Sequence, residues 1–190
     1  MGFTIGGTRR RGRGTTECTA VAEYTGIWGW DVAPGSPEGP GDEVPAGATL
    51  AEVTKVWSES PGASVLLPVG RSFDVLDVSA TAGSRALVRL ERMGLPLGPV
   101  LATPCGRAYF FVAPGAAAEL PQLLYRMGWD DAGLDLRCQG SGHVPAPPTE
   151  IPGQGPVRWL RPPSLDTGAT PPQARLLLGT LAYICHRSAA

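Results

Sequence analysis

Lysine is almost missing from this chain. Fifteen of its sixteen basic residues are arginine, and Lys55 stands alone. A net charge is missing too: basic and acidic residues nearly cancel at −1, so no global field draws the chain to nucleic acid or to an anionic membrane. No apolar run approaches the roughly 18–20 residues that a bilayer span requires. Arg9-Arg10-Arg11 is not followed by the apolar core of a secretory leader, and Gly6 stands where a myristoylation signal wants Ser or Thr. The four cysteines, Cys18, Cys105, Cys138 and Cys185, form no CxxC pair. The usual metal-ligand and dithiol spacings are therefore absent, and buried free thiols in a reducing cytosol are the expectation. A cytoplasmic location without a membrane partner follows from these absences.

What is present is a chain of 190 residues, enough for one sizeable core, with 43% hydrophobic and only 17% charged residues. Its 26 glycines and 20 prolines predict plentiful loops. Residues 1–14 are rich in Gly and Arg without periodicity and are expected to form a mobile arm, solvated or touching phosphates; residues 15–190 are expected to form a single domain. Helical spacing begins at Thr16, with Cys18, Val21, Ala22, Thr25 and Trp28 on one face, and ends at Gly29. Trp30 to Ala33 then suits a strand stopped by Pro34, and residues 34–47 suit a long loop. Thr49 and Glu52 have capping-box spacing at the start of a helix with Leu50, Val53, Val56 and Trp57 on one side.

Further along, residues 64–67 predict a strand, and residues 81–92 a helix with Ala82, Ala86, Leu87 and Leu90 inward. On that helix Arg85, Arg89 and Arg92 fall on one stripe, either a solvated face or a guide for a nucleic-acid strand. Two apolar runs flank residues 104–107 as a hairpin. A short helix is expected at residues 121–127, with Pro121 in its first turn and Gly128 as its stop. Strands are expected at residues 134–138, 143–146 and 157–160. The last helix, about residues 171–187, carries Ala174, Leu177, Leu178, Leu181 and Cys185 along one face. Such an order of elements predicts an α+β domain with a mixed sheet.

The segment that draws attention is Phe73-Asp74-Val75-Leu76-Asp77-Val78-Ser79, an apolar strand holding two carboxylates. Buried strands rarely carry two acids, because each is costly to desolvate. Strand alternation puts Val75, Asp77 and Ser79 on one face and Asp74, Leu76 and Val78 on the other.

In order along the chain, these pieces resemble the bifunctional DNA primase/polymerase N-terminal family. Gly29-Trp30-Asp31-Val32-Ala33-Pro34 is similar to its Gly-Trp-x-Val-x-Pro entry. Val56-Trp57 followed by Ala63-Ser64-Val65-Leu66-Leu67-Pro68-Val69-Gly70 is similar to its Trp…Ala-Asn-(Val/Ile)-Gly-x-Pro-Thr-Gly run. Asp74 to Ser79 falls on its first catalytic motif and Thr103 to Ala108 on its second. Leu134-Asp135-Leu136-Arg137, with residues 140–149, falls on its third motif and the loop beyond. The resemblance covers about residues 19–159. It implies a sheet core related to the RNA-recognition fold, with an N-terminal αβ module packed on it. It also implies divalent ions held by an Asp-x-Asp pair and a third Asp, and a His from the second motif on the incoming triphosphate.

By that resemblance Asp77 and Asp135 are the retained catalytic and metal-binding residues. Ser79 stands where the second carboxylate belongs, and Ala108 where the His belongs. A neutral hydroxyl is a poor donor to Mg²⁺. Asp74 could substitute only through a bulge; otherwise it caps a turn or pairs with Arg71. Asp77 and Asp135 then suit one weakly held Mg²⁺ or Mn²⁺, or a buried acid pair satisfied by Arg137, Arg107 or backbone donors. Arg107, Arg137 and His143 are the candidates for nucleotide or phosphate contact, Arg107 foremost because a guanidinium suits bidentate phosphate binding. Three functions are expected in order: a nucleotide- or nucleic-acid-binding or regulatory module with weakened or lost nucleotidyl transfer, an active primase/polymerase on single-stranded or primed DNA, and a protein–protein interaction module.

Overall fold

Alternation in residues 74–79 organises the molecule. In the computed structural model, which describes residues 9–36, 39–129 and 133–189, this segment is a strand buried throughout except at Ser79, which is half-buried. The chain runs α1 (Arg9–Gly26), β1 (Ala33–Ser36), β2 (Gly39–Pro40), α2 (Leu50–Glu59), β3 (Ser64–Pro68), β4 (Asp74–Ser79) and α3 (Ala80–Arg92). There follow β5 (Val100–Ala102), β6 (Arg107–Val112), α4 (Ala116–Arg126), β7 (Leu136–Gln139) and β8 (His143–Ala146). The last elements are β9 (Glu150–Ile151), β10 (Gly155–Pro156), β11 (Arg158–Arg161) and α5 (Arg175–Ala189). No helix among the described residues is long and apolar enough to cross a membrane.

Two sheets and a small ribbon result, of strand orders β11-β5-β6-β4-β7, β2-β1-β3-β8 and β10-β9. All strand pairings within them are antiparallel. The fold is α+β. β4 is paired on both edges, with Asp77 opposite Tyr109 of β6 and Arg137 of β7, and Ser79 opposite Arg107.

The two faces of β4 belong to two cores. Leu76 and Val78 join Ala108, Phe110 and Leu136 beneath α3 and α5, where Ala82, Ala86, Leu90, Leu177, Leu178 and Leu181 are buried. Val75 joins Leu101 and Phe111 in a second core, with Val65 and Leu67 of β3, Val144 of β8, Val53 and Trp57 of α2, and Val21 and Tyr24 of α1. The N-terminal elements therefore pack on the face of the main sheet that α3 and α5 leave free.

Trp30 is the hub of the second core. It is fully buried, and its ring lies 5.7 Å from Tyr24, 5.4 Å from Phe73, 5.5 Å from Phe111 and 6.4 Å from Trp159, centroid to centroid. Its indole N–H donates to the carbonyl of Gly168 at 3.1 Å, which satisfies the one polar atom the ring carries inside.

Several expectations shift. α1 begins at Arg9, before Thr16, inside the stretch read as an arm; residues 1–8 lie outside the described residues. The first strand covers Ala33–Ser36 instead of residues 30–33, and Pro34 lies within it, opposite Val65. Pro34 has no N–H to offer the ladder, but its carbonyl accepts from Gly41 N. The long loop after it is partly a hairpin, β1 with β2; residues 37 and 38 are outside the described set. The capping box of α2 is present, with Thr49 N donating to Glu52 at 2.7 Å, but Leu50 is 57% exposed and does not join the buried side.

α4 starts at Ala116, so Pro121 sits in its second turn and not its first. Gly115, at φ +92°, offers no side-chain cap there; a carboxylate from elsewhere supplies one. β7 starts at Leu136, β11 spans Arg158–Arg161 and α5 begins at Arg175. All four cysteines are free, but only Cys185 is buried and Cys105 is exposed in a turn. Burial pushes the Cys138 thiol up to about 12 and the Cys185 thiol to about 11, so both stay protonated.

Trp30→Ala removes its ring contacts with Tyr24, Trp28, Phe73, Phe111 and Trp159 from a fully buried site. It is expected to lower unfolding free energy by about 3–5 kcal/mol in urea titration.

Candidate functional site

The turn between β5 and β6 fixes the principal cation of the site. Thr103 N donates to Arg107 O at 2.9 Å, Arg107 N returns a bond to Thr103 Oγ1 at 3.3 Å, and Gly106 takes the left-handed φ of +82° that the turn needs. Ala80 N, at the start of α3, donates to Gly106 O at 2.8 Å. Arg107 therefore enters β6 with its side chain on the same face as Ser79 and Asp77.

Its guanidinium bridges two carboxylates. Nε donates to Asp77 Oδ1 at 2.7 Å, and a terminal nitrogen donates to Asp135 Oδ2 at 2.8 Å. Asp135 stands just before β7, so the third motif and the first are brought together through one side chain. Gln139 Nε2 adds a longer bond of 3.4 Å to Asp77 Oδ2. Arg137 lies opposite Asp77 in register and is exposed at the edge of the group.

The electrostatics follow from these pairs. The hydrogen bond from Arg107 holds Asp135 below the usual carboxylate range. The hydrogen bond that Arg107 donates to Asp135, foremost, and then the one to Asp77 raise Arg107 above its ordinary value. Burial first, and the Asp77 charge second, push the Tyr109 phenol up on the same face.

The remaining candidates separate. Ser79 Oγ accepts from Ala82 N at 3.2 Å as the N-cap of α3, so its hydroxyl is engaged with the helix. Asp74 lies on the opposite face of β4, as alternation requires, with no bulge to turn it. It is 1% exposed, and its Oδ2 accepts from Ala117 N at 2.9 Å, which supplies the cap that Gly115 cannot give α4. It does not pair with Arg71. That arginine instead binds Asp31 and Glu43, both at 2.7 Å. His143 belongs with this second group: its Nε2 is 3.9 Å from Glu43 Oε1 on the smaller sheet. It is not brought to Asp77 by any described contact.

Ala108 requires a correction. Read as the position of a site-facing His, it proves to be fully buried under α3, opposite Val78. A side-chain carbon added to Gly83 of α3 would meet the Ala108 methyl at 2.5 Å. A residue at 108 cannot reach Asp77. Arg107 is the second-motif residue that faces the site in this chain. Gln139 and Tyr109 were not singled out from the sequence; stepping by two from Arg137 and Arg107 along their strands finds both.

Among the described residues, no three His, Cys, Asp or Glu side chains group closely enough to hold a metal. Among the described residues, Asp77 and Asp135 are the only carboxylates the site gathers.

The model of the family described as bifunctional DNA primase/polymerase, N-terminal, matches residues 21–174. No curated protein matches the chain.

Two outcomes are expected. In carbon-detected NMR titration, Asp135 titrates below the ordinary aspartate value of about 3.9, and Arg107→Met returns it toward that value. The stability this pair contributes is complete above the ordinary value and lost as pH falls through the depressed one. Half-exposure of Asp135 keeps the contribution small. Separately, Ala108→His is expected to overpack the α3 contact, costing about 1–3 kcal/mol in urea titration, without placing an imidazole at the site.

Proposed function

The chain belongs to the bifunctional DNA primase/polymerase N-terminal family, and we propose that within it this domain recognises nucleotides while its nucleotidyl transfer is weakened or lost. One observation carries the reading: the two carboxylates that would hold a divalent ion already share the guanidinium of Arg107. Both negative charges have a partner, and a cation must compete with two charge-assisted hydrogen bonds to reach them.

The donor set also argues for reduced chemistry. Asp77 and Asp135 suit a single Mg²⁺ or Mn²⁺, weakly held, and fall short of a two-ion centre. Ser79, the position of the missing ligand, is neutral and engaged as a helix cap. A bound ion would polarise nucleotide phosphates there. The chain's own contribution is Arg107, whose planar fork matches phosphate as well as carboxylate, with Arg137 exposed beside it. A nucleotide phosphate that draws Arg107 off Asp135 exchanges one anionic partner for another and leaves the carboxylates available to a cation. Nucleotide and single-stranded or primed DNA are the partners this reading proposes.

The convergence of Asp77 and Asp135 on one group favours a second reading, an active primase/polymerase that works with one resident ion. Primer extension separates the two. With template, primer, nucleotides and Mg²⁺ or Mn²⁺, no extension is expected; robust extension overturns the loss of transfer. Calorimetry is expected to detect triphosphate binding that Arg107→Ala weakens by about 1.5–3 kcal/mol, roughly ten- to a hundredfold. No heat of binding at millimolar nucleotide overturns recognition.

A further inference from the structure

The charge balance of the whole chain conceals a segregation that the fold makes visible. α3 and α5, two of the three helices on the face of the main sheet opposite Asp77, carry Arg85, Arg89, Arg92, Arg175 and Arg187 against a single acid, Glu91; the third, α4, carries Glu119 and Arg126, which cancel. α5 contains no carboxylate at all. Glu91 is itself occupied, accepting from Arg161 of β11 at 3.2 Å. A chain of net charge −1 thus has one helical layer of strongly positive charge, and the rest is correspondingly acidic.

Within that layer two arginines from different helices are drawn onto one ring. The guanidinium carbon of Arg89 lies 5.2 Å from the centroid of Tyr183, and that of Arg187 lies 6.0 Å from it. Arg187 also donates to the Tyr183 hydroxyl at 3.3 Å, the phenol being held below its ordinary value chiefly by that bond. Two like charges held beside one another, without a carboxylate partner among the described residues, form a preorganised anion site. The ring fixes both forks and removes much of the rotamer freedom that an anion would otherwise have to freeze out.

The arrangement is longer than one anion. Arg85, Arg89 and Arg92 are all exposed along one stripe of α3, spanning about 10 Å at helical rise. Val88 and Met93, both about half exposed, lie beside them as apolar surface. The stripe also has a direction. Ser79 caps α3 and lies opposite Arg107 in register, so within the stripe Arg85 is nearest the Asp77 group and Arg92 farthest from it.

We infer that the α3/α5 surface, centred on Arg89, Tyr183 and Arg187, is a second contact for the phosphodiester backbone of single-stranded nucleic acid, on the far side of the sheet from Asp77. A flexible strand follows a narrow linear ridge of arginines, with apolar and aromatic surface for its bases. Binding at this surface is independent of whether the Asp77 group takes a nucleotide.

The test uses the full chain and a fluorescein-labelled oligothymidylate, without triphosphate or divalent ion, followed by anisotropy over a range of salt. Binding is expected to weaken with salt. The triple variant Arg85→Glu, Arg89→Glu, Arg187→Glu is expected to lose at least about tenfold in affinity, and the matching lysine triple to keep most of it. Removing three phosphate contacts flattens the log–log salt slope by about 2. Circular dichroism confirms that the exposed substitutions leave the fold intact, and the lysine triple supplies the comparison if the glutamate triple is unfolded. Undiminished oligonucleotide binding by the glutamate triple overturns the assignment, as does no binding by the native chain. Equal loss in the lysine and glutamate triples, with both folded, overturns the phosphate reading. Capture by phosphatidylserine vesicles without oligonucleotide binding reassigns the surface to a membrane and overturns it as well.

Discussion

Everything in this domain depends on β4 being paired on both edges and buried on both faces. A strand so placed cannot rotate or slip, because a one-residue shift would carry its whole apolar set into the wrong core. Leu76 and Val78 are committed to the helices, and Val75 to the aromatic core around Trp30. Two acids three residues apart on such a strand are held on opposite faces by the same constraint. One becomes the anchor of a helix terminus and the other the centre of the site. Their difference in role comes from parity alone, since the two side chains are chemically identical.

On the site face the controlling fact is that two carboxylates brought together by β4 and the segment before β7 need a cation. Arg107 is covalently part of the chain and is delivered there by a tight turn, so it is present at high effective concentration whenever the domain is folded. A diffusible ion has no such advantage. The helix face shows the complementary situation, with cations gathered on α3 and α5 and, among the described residues, no carboxylate paired with Arg89 or Arg187. One sheet therefore separates a neutralised acidic group from an unneutralised basic layer.

Local signals in the sequence were reliable where local chemistry decides the outcome. Thr49 and Glu52 form their capping box, residues 100–112 form their hairpin, and the inward residues of α3 and α5 are the ones periodicity named. The faces of β4 were legible too, since alternation needs no partner to be known. What was not legible depended on distant residues. β1 is displaced because its register is set by β3, which tolerates Pro34 where a donor is not needed. α4 starts early because Asp74, far away in sequence, caps it. Ala108 was misplaced because motif spacing gives an order of residues along the chain but not which of two neighbours on β6 faces β4's acid. The pairing of Ser79 with Arg107 decides that, and pairing is a tertiary fact.

Ser79 holds the first turn of α3 with its hydroxyl. Aspartate serves at an N-cap as well as serine does, and a negative charge there is favoured by the helix dipole. The fold therefore sets no barrier between serine and a carboxylate at this position. Ser could give way to Asp here, or Asp to Ser, with α3 still capped and both cores untouched. The helix cap and both cores accept either residue, so the scaffold leaves the chemistry at this position open.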